Sequence, residues 1–298
     1  MTSIDFTSCP RIPVRAYNGA NGKKVAVLFQ GEPWILKFPP NVTSRPNEQS
    51  YSNSCFSEHL GSSIYRLLGV PCQETVLGTY VNGKTKIVCA CKDFTRPGVR
   101  LYDFCSIKNT VIDSETGGTG TEFSDILETI AHQSFVDPLL AYERFWQMFV
   151  VDALLGNFDR HNGNWGFLVE EETQVSSLAP VFDNGSCLLP QADDNIMQRC
   201  LDDEDEMNAR IYTFPTSMIK QNNKKINYYD FLHSSDIPQG LCSALNQLRP
   251  RIQALDFHAL VDATPYLTPL QQQFYIQYLT SRRQIMFQSS THNSIANA

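Results

Sequence analysis

The sequence predicts an α+β chain with a small β-rich N-terminal lobe and a mainly helical C-terminal lobe. Three observations carry that expectation. Short β-rich runs punctuated by Gly and Pro fill residues 1–94, helical periodicity dominates from Leu101 onward, and one very polar loop follows a long apolar helix. The lobes are therefore placed at 1–94 and 95–288, with 289–298 as a frayed tail. At 298 residues, 42 % apolar, 11 % aromatic and only 18 % charged, the chain can bury a sizeable core, which excludes wholesale disorder.

Residues 25–29, 33–38, 74–80 and 86–91 read as strands of a small antiparallel sheet. One helix, at about 53–68, interrupts them: Phe56, Leu60, Ile64, Leu67 and Leu68 recur at helical spacing until Gly69 and Pro71 stop it. In the second half, 138–155 is apolar on most sides and should be a buried helix. Residues 165–169 and 178–182 read as two strands of a hairpin. Further helices are expected at about 240–262 and 268–287, the second opened by Thr268-Pro269. The glycines of 117–120 follow no apolar strand and read as a mobile connector, and the acidic run 202–206 reads as a solvated face.

Charge and cysteine usage bound the partners. Against 31 Asp and Glu there are 24 Lys and Arg, a net charge of −7, with no dense basic block. That argues against holding nucleic acid or anionic lipid through an overall field. The start, MTSIDFTSCPRIPVR, has no basic segment leading into an apolar run, and no membrane-length apolar stretch occurs. A leaderless cytoplasmic protein with no membrane span is expected. Nine cysteines without a C-x-x-C ladder read as free thiols in a reducing compartment.

The chemistry concentrates where the buried helix stops. Asp159, His161 and Asn164 stand at offsets 0, 2 and 5 in one polar loop, and the second strand ends in Asp183-Asn184-Gly185. A hairpin would bring Asn164 and Asp183 together. Phosphoryl transfer asks a protein for position and charge neutralisation more than for covalent chemistry. Asp159 suits the carboxylate that faces an incoming hydroxyl and takes its proton. Asn164 and Asp183 suit magnesium, which prefers oxygen ligands and keeps several waters beside nucleotide phosphates. Upstream, Gly19, Ala20, Asn21, Gly22, Lys23 and Lys24 form either a plain hairpin turn or a phosphate cradle. Lys37, inside an otherwise apolar strand, needs an anionic partner. Nucleotide phosphate fits, with Glu58, 21 residues later on the helix, as the group that fixes the lysine or else as a surface carboxylate.

These motifs resemble the HipA-like serine/threonine protein kinases over nearly the whole chain. The most specific pieces are GANGKK (19–24), LKFPP (36–40), ACKDF (90–94), LLGNFDRHNGNWGFL (154–168) and PVFDNGSCLLPQADD (180–194). The resemblance implies a two-lobed protein-kinase-like fold, distantly similar to phosphoinositide kinases, with ATP in the cleft. It implies that Asp159 is the catalytic aspartate, that Asn164 and Asp183 hold Mg²⁺ and that Lys37 meets the ATP phosphates. It also makes 19–24 the phosphate loop, puts His161 beside the nucleotide, and makes Ala90, Cys91 and Lys92 the adenine-binding connection.

The expected activity is ATP- and Mg²⁺-dependent transfer to Ser/Thr hydroxyls of protein substrates, the chain's own included. A phosphoinositide or small-molecule kinase, with His161 as base, and a nucleotide-binding pseudokinase are the alternatives. HipA toxins carry an extra N-terminal subdomain and a phosphate-loop serine. Neither is found here, since no Ser or Thr lies between Tyr17 and Lys24, so a DNA-binding antitoxin partner is not expected. Some relatives in the family are implied to enter host cells, which would make host signalling proteins the partners of a translocated effector.

Overall fold

The computed structural model describes residues 4–13, 24–39, 52–112 and 116–288. The expected tail lies outside them. In the N-terminal half, β1 (Lys24–Phe29) turns into β2 (Glu32–Lys37) through Gln30 and Gly31, both at positive φ (53° and 81°). Two left-handed residues give the twist that a tight hairpin needs. The chain then forms α1 (Ser54–Leu67) and the hairpin of β3 (Thr75–Asn82) and β4 (Lys84–Lys92). The sheet is antiparallel in the order β1-β2-β4-β3.

Strand alternation gives this sheet two buried faces. On one, Val27, Trp34, Leu36, Val88 and Ala90 pack with Phe6 in a small core. On the other, Leu77, Cys89 and Cys91 meet Phe56, Leu60 and Ile64 of α1 and join the main core. The helix ends in a Schellman arrangement: Gly69 N donates to Arg66 O at 2.9 Å and Val70 N to Tyr65 O at 3.0 Å, with Gly69 at φ +76°. Gly61 sets α1 close to the second half, since a Cβ there would lie 3.1 Å from Asn184 Cβ.

The second half opens with a strand, β5 (Val99–Asp103), followed by α2 (Phe104–Val111), α3 (Phe123–His132) and α4 (Pro138–Leu155). Asp137 caps α4, accepting from Leu139 N at 2.9 Å, and Pro138 occupies the first turn, where its missing N–H costs nothing. As its composition predicts, α4 is buried on nearly all sides from Ala141 on. It is followed by β6 (Gly166–Glu170) and β7 (Ser176–Leu178), which complete an antiparallel β5-β6-β7 sheet. The hairpin thus exists, but its ladder stops at Leu178. Residues 179–182 leave it to reach the N-terminal half, where Gln73 N donates to Val181 O and Val181 N to Pro71 O, both at 2.8 Å.

Next come α5 (Asp194–Asp202), α6 (Glu204–Asn208), the short hairpin of β8 (Lys220–Gln221) and β9 (Lys224–Lys225), and α7 (Tyr228–Leu232). The helix expected at 240–262 is two helices, α8 (Gln239–Ala254) and α9 (Phe257–Asp262). Asp256 caps the second by accepting from Ala259 N at 2.9 Å, while the apolar period runs on through Ile252, Phe257 and Val261 and conceals the break. The last helix, α10 (Pro269–Met286), starts with the expected Thr268-Pro269 signal, extended by a capping box with Gln271. Its buried Arg282 donates to Ala153 O at 2.9 and 2.6 Å and ties the helix to α4.

All nine cysteines are free; Cys55, Cys89, Cys91, Cys187 and Cys200 are buried, and burial pushes the Cys55 thiol up to about 12. Among the described residues, no helix is long and apolar enough to cross a membrane.

Gly156 ends α4 in the left-handed region (φ 65°), and a Cβ there would collide with the Tyr278 hydroxyl and Pro215. Gly156→Ala should lower unfolding free energy by about 1–3 kcal/mol, read from urea denaturation midpoints.

Candidate active site

The polar loop that follows α4 is built around a buried ion pair. Asp152, in the last turn of α4, accepts from Arg160 Nε at 2.9 Å, with both side chains almost wholly buried. Tyr65 Oη at 2.7 Å and Asn157 Nδ2 at 2.9 Å complete the carboxylate's partners. Arg160 then uses its remaining donors on the two segments of the site. Nη1 donates to Asn164 O at 2.8 Å and to Phe182 O at 2.6 Å, and Nη2 donates to Asn184 Oδ1 at 2.5 Å. One guanidinium therefore holds the loop of Asp159 and Asn164 against the segment that carries Asp183. A planar fork of five N–H groups can do this, and a lysine cannot.

Within the loop, Asp159 N donates to Asn157 Oδ1 at 3.0 Å, and Asp159 O accepts from Asn164 Nδ2 at 2.9 Å. The second bond commits the Asn164 amide nitrogen and leaves Oδ1 as the acceptor atom of that side chain. Burial raises the Asp159 carboxyl above the usual range, against the pull of His161, and the nearby Asp183 charge adds to the rise. His161 Nδ1 accepts from Gly163 N at 3.0 Å, so in the neutral ring the proton sits on Nε2.

Lys37, on β2, joins the two halves. Its ammonium donates to Glu58 Oε2 of α1 at 2.8 Å and to Asp183 Oδ1 at 2.9 Å. Burial works against its charge, but the Asp183 and Glu58 carboxylates outweigh it and hold the pKa well above that of an ordinary lysine. In return, the Lys37 ammonium brings the Asp183 carboxyl down to about 2, against the cost of desolvation. Asp183 sits at φ +61°, a left-handed geometry that Asp tolerates better than most residues. Lys24 acts on the same carboxylate from the start of β1. Glu58 Oε1 is buried with no hydrogen-bond partner among the described residues, an acceptor beside the ammonium.

A sequence profile described as the HipA-like C-terminal domain matches residues 16–240. The chain belongs to the HipA-like family. It is 46 % identical over 284 residues to the serine/threonine-protein kinase CtkA of Helicobacter pylori strain J99, covering 95 % of this chain and 86 % of that protein. The crystal structure of a Helicobacter pylori proinflammatory kinase CtkA superimposes with a TM-score of 0.88, covering 95 % of this chain and 94 % of the other. HipA of Shewanella oneidensis MR-1, solved in complex with HipB and its operator DNA, shares the fold at a TM-score of 0.54 and 14 % identity, over 93 % of this chain and 65 % of that one. The two-lobed HipA-like architecture expected from the motifs is thus the architecture of this chain.

In this HipA-like chain the structure brings Lys37, Glu58, Asp159, His161, Asn164 and Asp183 to one cleft. Gly19, Ala20, Asn21, Gly22 and Lys23 lie outside the described residues. Ala90, Cys91 and Lys92, expected at the adenine-binding connection, are the last three residues of β4, the strand flanked by β2 and β3. Lys92 N donates to Glu74 O at 2.8 Å, its carbonyl accepts from Gln73 Nε2 at 2.9 Å, and its ammonium pairs with Glu32 at 2.6 Å. The chain leaves the sheet only beyond Lys92, where the Phe94 ring lies 5.6 Å from that of Phe182.

The glycine connector at 117–120 is also held more firmly than its composition suggests. Asn162 Nδ2 donates to Gly118 O and Gly120 O, both at 2.8 Å, and the buried Lys108 donates to Gly120 O at 2.7 Å. Sequence reasoning gave no role to Asp152, Asn157, Arg160, Asn162 or Asn184. The available signal was the density of Asn, Asp and Arg directly after a wholly apolar helix.

Removing one partner of a buried pair leaves the other charge uncompensated. Arg160→Leu should cost about 3–5 kcal/mol in urea unfolding, and pairing it with Asp152→Leu should cost less than the sum of the single losses. The depressed Asp183 pKa contributes stability above the ordinary carboxylate range, and that stability is lost as pH falls toward 2. The stability gap between the native chain and Lys37→Met should therefore narrow from about pH 4 down to about pH 2 in acid-denaturation curves.

Proposed function

We propose that the chain is a serine/threonine protein kinase that transfers the γ-phosphoryl group of ATP, with magnesium, to protein hydroxyls, its own included. The observation that carries this reading is the Lys37 ammonium, held at 2.8 Å from Glu58 and 2.9 Å from Asp183 in the cleft that also holds Asp159. A lysine fixed by a helix glutamate and facing a metal-binding aspartate is the arrangement that positions nucleotide phosphates in protein kinases. The serine/threonine-kinase name of the Helicobacter relative supports the acceptor class. Its description as a proinflammatory kinase puts host signalling proteins among the substrates to test.

The donor set fits magnesium. Among the described residues no group of three or more His, Cys, Asp or Glu side chains forms a metal cage. Magnesium needs no such cage when phosphates and water complete its octahedron. Asn164 Oδ1, freed by the bond from its own Nδ2 to Asp159 O, and the carboxylate of Asp183 are the two protein oxygens that would hold it. Bound there, the ion would neutralise charge on the phosphate oxygens.

The remaining steps belong to the chain's own side chains. Lys37 binds phosphate oxygens from β2. Asp159 orients the acceptor hydroxyl and takes its proton as the P–O bond forms; its raised pKa makes it a better proton acceptor than an ordinary surface aspartate. His161 serves as a donor through Nε2–H, because Nδ1 is engaged by Gly163 N. That supports Asp159 rather than His161 as the base and favours a protein kinase over the lipid-kinase alternative.

Incubation with Mg·ATP should add about 80 Da per event to the intact mass, one phosphoryl group each. Asp159→Asn should reduce transfer at least about 10²-fold while ATP still raises the melting temperature. Undiminished transfer by that variant would remove Asp159 from the mechanism, and transfer to lipid acceptors alone would replace the protein-kinase reading.

A further inference from the structure

The β8–β9 hairpin has no part in the chemistry above, yet it sits beside the catalytic loop. Its six residues, 220–225, include three lysines in a chain of net charge −7. The frame is rigid. Asn222 and Asn223 turn at φ 54° and 64°, and the Glu122 carboxylate accepts from their backbone N–H groups at 2.6 and 3.1 Å. Ile219 and Ile226 are buried at its base and joined by a 2.9 Å hydrogen bond from Ile226 N to Ile219 O.

Both flanks of the hairpin are connected to the loop that carries Asp159, one through the 118–121 segment and one through Tyr228. On one side, Lys220 N donates to Thr121 O at 2.8 Å, next to Gly120, whose carbonyl accepts from Asn162. On the other, Tyr228 Oη donates to Asn157 O at 2.6 Å. The hairpin is thereby anchored to residues before and after Asp159, and the Lys225 charge is felt at the Asp159 carboxyl, which it lowers. Lys224 and Lys225 are exposed. The carboxylate of Glu122 is occupied by the turn backbone, and among the described residues none of the three lysines forms an ion pair.

We propose that this hairpin is the substrate-docking surface, and that it recognises peptide segments with Asp, Glu or phosphorylated side chains close to the acceptor serine or threonine. The proposal rests on the kinase reading above. Three cations held on a fixed frame, with no ion pair among the described residues, need no rearrangement before they meet anions. The net negative charge of the rest of the chain disfavours acidic segments elsewhere, so the field directs them to this edge. Lysines supply point charges without the bidentate fork of arginine, which suits selection by charge rather than by one fixed side-chain geometry.

Binding and transfer test this separately. A short fluorescein-labelled Asp/Glu-rich peptide without Ser or Thr is titrated by anisotropy against the full chain, against the triple variant Lys220→Ser, Lys224→Ser, Lys225→Ser, and against the remote control Lys84→Ser, Lys86→Ser. Thermal melting checks that each is folded. Affinity should fall about tenfold in the triple variant but not in the control, and it should also fall on raising salt from about 0.05 to 0.5 M.

Serine peptides flanked by Ala, Asp/Glu, phosphoserine or Lys are then offered with Mg·ATP. The acidic-to-alanine ratio of kcat/KM should be about ten for the native chain and near one for the triple variant. A larger gain for phosphoserine than for Asp would mark phosphorylated segments as the preferred form. Unchanged acidic binding in the triple variant, or a native preference for Lys-flanked peptides, overturns the proposal. Hairpin-dependent binding with no transfer to any peptide would leave docking in place and count against the kinase reading instead.

Discussion

Everything in the cleft depends on where one buried guanidinium puts its five N–H groups. Arg160 is neutralised by Asp152 at the end of α4, and its other donors reach Asn164 O, Phe182 O and Asn184 Oδ1. Asn164 belongs to the loop and Asn184 to a segment 20 residues further on, yet both meet the same planar group. Burying such an ion pair is expensive unless its lone pairs and protons are satisfied. Here Tyr65 and Asn157 complete the Asp152 carboxylate, and backbone carbonyls complete the arginine. The polar hub turns the rigidity of an apolar helix into a fixed separation between the proposed base and the proposed metal ligands.

A second constraint joins the halves across the cleft. Lys37 comes from the sheet, Glu58 from α1 and Asp183 from the far segment, so a single ammonium reports on three elements at once. Two packing features hold α1 in place for this. Its apolar face belongs to the main core along with Cys89 and Cys91 of β4, and Gly61 permits close approach to Asn184. Asn184 Nδ2 also donates to Ser62 Oγ at 3.0 Å, so the residue that contacts Arg160 also contacts the helix that carries Glu58. The two hubs are connected through Asn184.

Much of this was legible in the sequence because it repeats or alternates. The strands of the first sheet, α1, α4 and α10 announce themselves through apolar spacing and through stop or start residues, and Lys37 stands out as a charge in an apolar strand. The break at Leu255–Asp256 was hidden because the apolar period runs straight across it. β5 was missed because it is short, half-buried and joined directly to α2. Ala90, Cys91 and Lys92, singled out by motif likeness alone, form the end of β4, in register with β2 and β3. Arg160, Asp152 and Asn162 have no periodic signature; their importance comes from partners distant in the chain, which a linear reading does not supply.

The arrangement of sulfur has a practical meaning. Four thiols, on Cys9, Cys72, Cys105 and Cys242, keep some contact with solvent, whereas Cys55, Cys89, Cys91, Cys187 and Cys200 do not. Cys55, Cys89 and Cys91 lie where helix and sheet of the first half meet, and Cys187 lies behind the Asp183 segment, within reach of the Asp152 and Arg160 charges. The molecule thus carries native chemical tags on both sides of its joint. An alkylating reagent counts how often that joint breathes, with no label added and no residue of the cleft replaced.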